Sequence, residues 1–251
     1  MSRPTKTYLR SGLPFCFCCV FLRYTLVGFV LALFLTDGFS AGKKPSTNEE
    51  RRFGIYVDGK EIGEETYSIQ GSSNMYRSES VIAFKNPGSA NQDVKIETQL
   101  TMDENYMPQS YRVKSSIGGK TRETEGVFVP GQATFKYQVN GTPHQSGLLL
   151  DDYYVVLDAN VFHHFIFVGR LVEFDHSIQS LDVVIPQEMD NGVLKIRDAG
   201  LEKIEMHGKK KELHHLKVDS GKLQIDLWVD DYRLLYRIAL PDKNIEVLRK
   251  S

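Results

Sequence analysis

The sequence predicts a mainly β protein: one long antiparallel meander, curled into a half-open or closed barrel around one central helix. Three observations predict it. Apolar and polar residues alternate with period two over most of the chain beyond residue 52, the mark of strands that bury one face. Tight-turn dipeptides cut this pattern at short intervals. One apolar stretch near residues 158–169 drops the alternation for a helical spacing.

The first 42 residues read as an address. Arg3, Lys6, Arg10 and Arg23 precede the apolar run Leu26 to Leu35, and the small residues Gly38, Ser40, Ala41 and Gly42 follow. A basic start, a short hydrophobic core and a small-residue end make a secretory signal. The predicted location is periplasmic or secreted. A spanning helix needs about 20 apolar residues, more than this run supplies. Joined to the earlier stretch Leu13 to Leu22, it becomes long enough for an N-terminal anchor that leaves the domain facing the periplasm. Arg23 would then lie near mid-bilayer, at a cost of about 2.5 kcal/mol or more. In that case membrane contact runs through residues 13–35 alone. A start near Val20 or Leu22, giving a more compact signal, is a third reading.

Cys16, Cys18 and Cys19 are the three cysteines, all upstream of the expected cleavage point. The exported chain would be thiol-free, with no disulfide frame, cysteine metal site or cysteine nucleophile. Removing residues 1–42 takes four of the 31 Lys and Arg and one of the 32 Asp and Glu, leaving 27 against 31, a net of −4. That balance carries no basic footprint for nucleic acid. Residues 43–52 (KKPSTNEERR) are polar without period and read as a flexible linker. A single antiparallel β domain is expected over 53–251.

Within it Phe53, Ile55 and Val57 share a face, as do Val94, Ile96, Leu100 and Met102. Ala133, Phe135, Tyr137 and Val139 alternate with Thr134, Lys136 and Gln138; Leu223, Ile225, Leu227 and Val229 alternate with Gln224, Asp226, Trp228 and Asp230. Asp58-Gly59, Gly118-Gly119, Asn140-Gly141 and Asn191-Gly192 are hairpin dipeptides that accept positive φ. About eight strands are expected before residue 150 and about seven after 180. Short connections make sequential neighbours antiparallel. Asp158 is placed to N-cap a helix ending near Gly169, with Val161, Phe162, Phe165, Ile166 and Val168 on one broad side. So apolar a helix should be buried against the sheet; a strand remains the alternative. A sheet this long must twist, curl or close.

The segments YVDGKEIGEETYSI (56–69), LDANVFHHF (157–165), VVIPQE (183–188) and LWVDDYRLLYRIAL (227–240) give the chain a resemblance. It looks like the uncharacterised secreted all-β bacterial proteins grouped as domains of unknown function. The general shape is similar to the half-open barrels of the periplasmic lipoprotein carriers LolA and LppX. That similarity implies lipid chains held between sheet and helix, an argument from fold alone.

Motifs for chemistry fail on inspection. His163-His164 and His214-His215 are adjacent pairs, which diverge on a helix and oppose each other on a strand; with no HExxH spacing they predict no metal, and read as a polar seam or solvent-facing rings. Gly118-Gly119-Lys120-Thr121 has Lys114 where a phosphate loop needs glycine, and no helix follows. Glu64-Glu65, Asp151-Asp152 and Asp230-Asp231 read as solvated turn acids. There is no GxSxG elbow and no cofactor motif. The expectation is a non-enzymatic binding protein of the envelope, holding a lipid or other apolar ligand through Phe162, Phe165, His164 and Trp228. One alternative is a structural or interaction protein that meets an envelope protein partner, its sheet fully packed. A second is a hydrolase using a histidine and an acid.

Overall fold

The computed structural model describes residues 48–86, 92–139 and 141–250. The expected export signal therefore lies outside the described residues. Eight strands run in sequence: β1 (Asn48–Val57), β2 (Lys60–Gly71), β3 (Met75–Asn86), β4 (Gln92–Asp103), β5 (Pro108–Ile117), β6 (Lys120–Val129), β7 (Gln132–Val139) and β8 (Thr142–Leu149). After the two-residue β9 (Val155–Val156) come a 3-10 turn (Phe162–His164) and the helix α1 (Phe165–Leu171). The rest are β10 (Ile178–Ile185), β11 (Asp190–Met206), β12 (Lys209–Asp219), β13 (Gln224–Val229), β14 (Leu235–Leu240) and β15 (Ile245–Arg249). All fifteen join one sheet in the order β8-β7-β6-β5-β4-β3-β2-β1-β15-β14-β13-β12-β11-β10-β9. Every sequential pair from β1 to β8 and from β10 to β15 is antiparallel, as the short turns require. The linker expectation differs in extent: Asn48 to Arg52 already pair with β2.

Chain geometry forces the sheet to curl. Laid flat, fifteen strands about 4.8 Å apart would be roughly 67 Å wide. Yet β8, at one edge, ends at Leu149, and β9, at the other, begins at Val155. Six Cα steps span at most about 22 Å, so the edges must approach each other. The seam is tied without being paired. Asn191 Nδ2 of β11 lies 3.5 Å from the Leu149 carbonyl, and Tyr154 Oη donates to the Val129 carbonyl at 2.8 Å. The sheet is a roll whose edges do not join into a closed barrel.

Its inner face carries the main core, with Phe53, Ile55, Tyr67, Ile69, Ile82, Ile96, Leu100 and Phe135 all nearly inaccessible. The 3-10 turn and the apolar residues of α1 fill the concavity against them. A smaller cluster of Ile204, Met206, Leu213 and Trp228 lies on the opposite face. One irregularity in β11 creates it. The register with β12 shifts between Asp198 and Leu201, where Gly200 takes φ 102°, a value that favours glycine. Leu194 and Ile196 point inward before this bulge, and Ile204 and Met206 point outward after it.

The expected helix over 158–169 is later and shorter. The 3-10 turn starts at Phe162 and α1 runs only from Phe165 to Leu171. Asp158 is no cap for it: its Oδ1 accepts the N–H groups of Ala159 and Gln187.

Candidate functional site

The chemistry-bearing residues meet in the core, where segment 158–170 is bolted to the inner face of the sheet. β2 presents Glu65, Tyr67 and Ile69 inward by simple alternation. Glu65 Oε2 accepts both the Phe162 and His163 N–H groups at 3.0 Å, and its Oε1 lies 2.6 Å from His163 Nδ1. A 3-10 turn, like any helix, begins with unsatisfied N–H donors. No side chain within the turn caps them, so a carboxylate 97 residues earlier in the chain does. Glu65, His163 and His164 are all 0% exposed. The acidic pair Glu64-Glu65 is therefore not a solvated turn: Glu65 sits mid-strand in the core.

Asp158 forms a second anchor. Its Oδ1 holds the Ala159 and Gln187 N–H groups, and Tyr111 Oη donates to its Oδ2 at 2.9 Å. The Asp158 N–H donates to His164 Nδ1 at 3.2 Å, so neutral His164 carries its proton on Nε2. Burial raises the Asp158 carboxyl to about 6, against the lowering effect of its hydrogen bonds from Gln187, Tyr111 and Ala159. Burial, then the neighbouring His163, holds His164 well below its ordinary value. Burial also lifts the Tyr111 hydroxyl well above its usual range, reinforced by the Asp158 charge. Both His163 Nε2 and His164 Nε2 are buried without a hydrogen-bond partner. The two rings lie 4.5 Å apart by centroid.

A third anchor joins the end of α1 to the start of β1. Arg170 donates to Glu49 Oε2 at 3.2 Å, Tyr67 donates to Glu49 Oε1 at 2.7 Å, and Arg249 lies 3.6 Å from the same carboxylate. Burial, then the Glu49 charge, raises the Tyr67 hydroxyl. All three anchors are buried, and each ties the segment 158–170 to the sheet. His163 and His164 are not the polar seam or solvent-facing rings that their adjacency suggested.

Of the four residues expected to hold a ligand, Phe162, Phe165 and His164 come together in the main core at 7%, 8% and 0% exposure. Trp228 belongs to the outer cluster. It stacks on His215 at 4.6 Å, donates to Glu202 at 2.9 Å and lies under Arg237. His214 and His215 oppose each other as strand neighbours must. The first faces Asp198 and Asp231; the second faces Glu202 and Asp226. Among the described residues no group of three or more His, Cys, Asp and Glu could hold a metal ion.

The hollows lie elsewhere. One of about 480 Å³ opens on the outer face of β1 to β5. Two cross-strand rows line it, Thr66-Val81-Glu97-Lys114 and Ser68-Glu79-Gln99-Arg112. Another of about 660 Å³ lies along β6 to β8, beside Arg122, Tyr137 and His144. None of the four expected ligand residues lines either.

No protein-family model matches the chain, and no curated protein does. Solved structures resemble it in shape. A β-barrel-like protein of the domain of unknown function DUF1849 from Brucella abortus superposes with a TM-score of 0.57 at 10% identity, covering 82% of this chain and 96% of its own. A DUF1089 family protein from Pseudomonas aeruginosa gives a TM-score of 0.45 at 10% identity, over 71% of this chain and 90% of its own. The chain thus shares its fold with a β-barrel-like protein of unknown function.

Proposed function

We propose that this is an exported, non-enzymatic protein of the bacterial envelope that works by binding a partner with the outer surface of its sheet. One observation carries the reading. The concavity in which a carrier would hold a lipid is filled by the chain's own segment 154–172, pinned there by Glu65, Asp158 and Glu49. An acyl chain would have to displace buried charges together with their partners, a cost of several kcal/mol. The outer hollow over β2 to β5 alternates acid, amide, hydroxyl and base, which suits a polar protein surface better than an apolar ligand. The hydrolase reading has no support: the Glu65–His163 and Asp158–His164 pairs are buried in the core.

The test is to purify the full chain from the cells that produce it and examine its organic extract by mass spectrometry. The reading expects no stoichiometric lipid; one lipid per chain overturns it. A photo-reactive residue at Gln99 should then cross-link a defined protein in cells, and Arg112→Glu with Lys114→Glu should abolish that adduct while leaving the thermal transition in place.

A further inference from the structure

The edge strand β8 is built differently from the rest of the sheet. Its sequence, TPHQSGLL, contains no Asp, Glu, Lys or Arg, whereas every other described strand longer than two residues contains at least one. Charged side chains are a common guard on an open edge. Here the edge is long, mostly exposed along residues 142–149, and lacks that guard.

Its free hydrogen-bonding groups can be assigned. Pro143 has no N–H, and it sits opposite Gln138 in the pairing with β7. A strand offers its backbone groups alternately to its two sides, so the odd positions 143, 145, 147 and 149 face away from β7. The Leu149 carbonyl confirms the parity, because Asn191 Nδ2 reaches it from the start of β11 at 3.5 Å.

We propose that β8 pairs antiparallel with β8 of a second copy of this chain, about a twofold axis at Ser146. This register places Gln145 opposite Gly147, so both give and accept in matched pairs. Pro143 then falls opposite Leu149. The position that cannot donate meets the carbonyl that already has a donor, and the Leu149 N–H meets the free Pro143 carbonyl. The complementarity belongs to one strand read against itself, which is the requirement of an isologous interface. With no charge on β8, no like charges are brought face to face. The inference stands apart from the outer-face reading, since it concerns the edge of the sheet and not its face.

Ser146 would meet its twofold mate as a non-hydrogen-bonded pair, with Cα atoms about 4.5 Å apart, inside the span a disulfide accepts. The experiment uses the full chain with Cys16, Cys18 and Cys19 changed to serine, expressed in the cells that produce it. Ser146→Cys is compared with His144→Cys after mild oxidation and non-reducing electrophoresis. The expected result is a dimer band holding most of the Ser146→Cys chain and less than a tenth as much for His144→Cys, whose mate lies four residues away along the strand. A monomeric Ser146→Cys chain with a wild-type thermal transition overturns the proposal, as does equal cross-linking at both positions. If Ser146→Cys fails to fold, sedimentation of the unmodified chain decides: twice the chain mass supports the pairing, and a monomer at 100-fold dilution and at full concentration alike refutes it.

Discussion

Replacing Asp158 with asparagine should remove a stabilising response of the folded core to mild acid. The folded carboxyl titrates near 6 instead of 3.8. Between those values the folded chain holds a proton that the unfolded chain lacks, so this group adds stability as pH falls through the window. The slope is about 1.4 kcal/mol per pH unit, and the whole window is worth about 3 kcal/mol. His164 acts in the opposite sense. Its folded pKa is depressed well below 6.5, so just below that pH the unfolded chain holds the extra proton and stability is lost as pH falls. Just below pH 6 the two groups oppose each other: folding strips a proton from His164 and adds one to Asp158. Asp158→Asn removes the gain and leaves the loss. Its stability relative to wild type should drop by about 1 kcal/mol between pH 6 and pH 5, or roughly 2–4 °C in Tm for a domain of this size. Asparagine can still accept the Ala159 and Gln187 N–H groups, so any fixed cost appears equally at every pH and leaves the slope as the readout. Urea titrations followed by circular dichroism at pH 7, 6 and 5 measure it. Parallel pH profiles for variant and wild type would falsify the assignment of a buried, neutralisable Asp158. His164→Asn should do the reverse and grow more stable, relative to wild type, over the same range.

Other outcomes follow from the same contacts. Glu65→Gln takes the charge from a carboxylate that caps two N–H groups and faces His163; it should cost about 3 kcal/mol and speed amide exchange first at residues 162–171, so uniform exchange across the sheet would argue against a local anchor. Phe165→Ala should cost about 3–5 kcal/mol by leaving a cavity in the main core; a loss below 1 kcal/mol in denaturant titration would mean that the site is loosely packed. Gly63→Ala drives a methyl into the Ala83 carbonyl oxygen and the Phe84 backbone, a clash worth about 1–3 kcal/mol, whereas Gly59, with open space around it, should show only the smaller cost of its positive φ. The single tryptophan, Trp228, is 5% exposed, so its emission should be blue-shifted and resist acrylamide; a fully quenchable, red-shifted signal would place it on a wet face instead.

The strands and turns were legible because their signals are local. Ala133 and Phe135 alternate with Thr134 and Lys136, and Asn140-Gly141 joins Val139 directly to Thr142 in the observed register. The anchors were not, because their partners are far apart in sequence. Glu65 caps a turn 97 residues away, so no capping box could be read around Phe162, and Asp158, the nearest acid, invited the wrong helix start. Parity held a clue: Glu65 shares its face with Tyr67 and Ile69, which marks it as inward. Trp228 shows the opposite limit. Alternation puts it across the strand from Leu227, but only the bulge near Gly200 turns Ile204 and Met206 outward to cover it.

The meeting of β1 and β15 near the middle of the sheet bears on how the protein assembles. Each half is a meander whose strands can zip in turn from short loops, but Phe53 pairs with Arg249, roughly 200 residues further on. Contacts of such separation are slow to form, and during synthesis the partner of β1 is the last strand to emerge. Until it does, β1, paired with β2 on one side only, exposes an open edge at what will become the interior of the sheet, and Glu49 waits for both Arg170 and Arg249. A five-residue terminal strand thus acts as the keystone that joins two separately formed halves, and the nascent chain needs protection from stray pairing until it arrives.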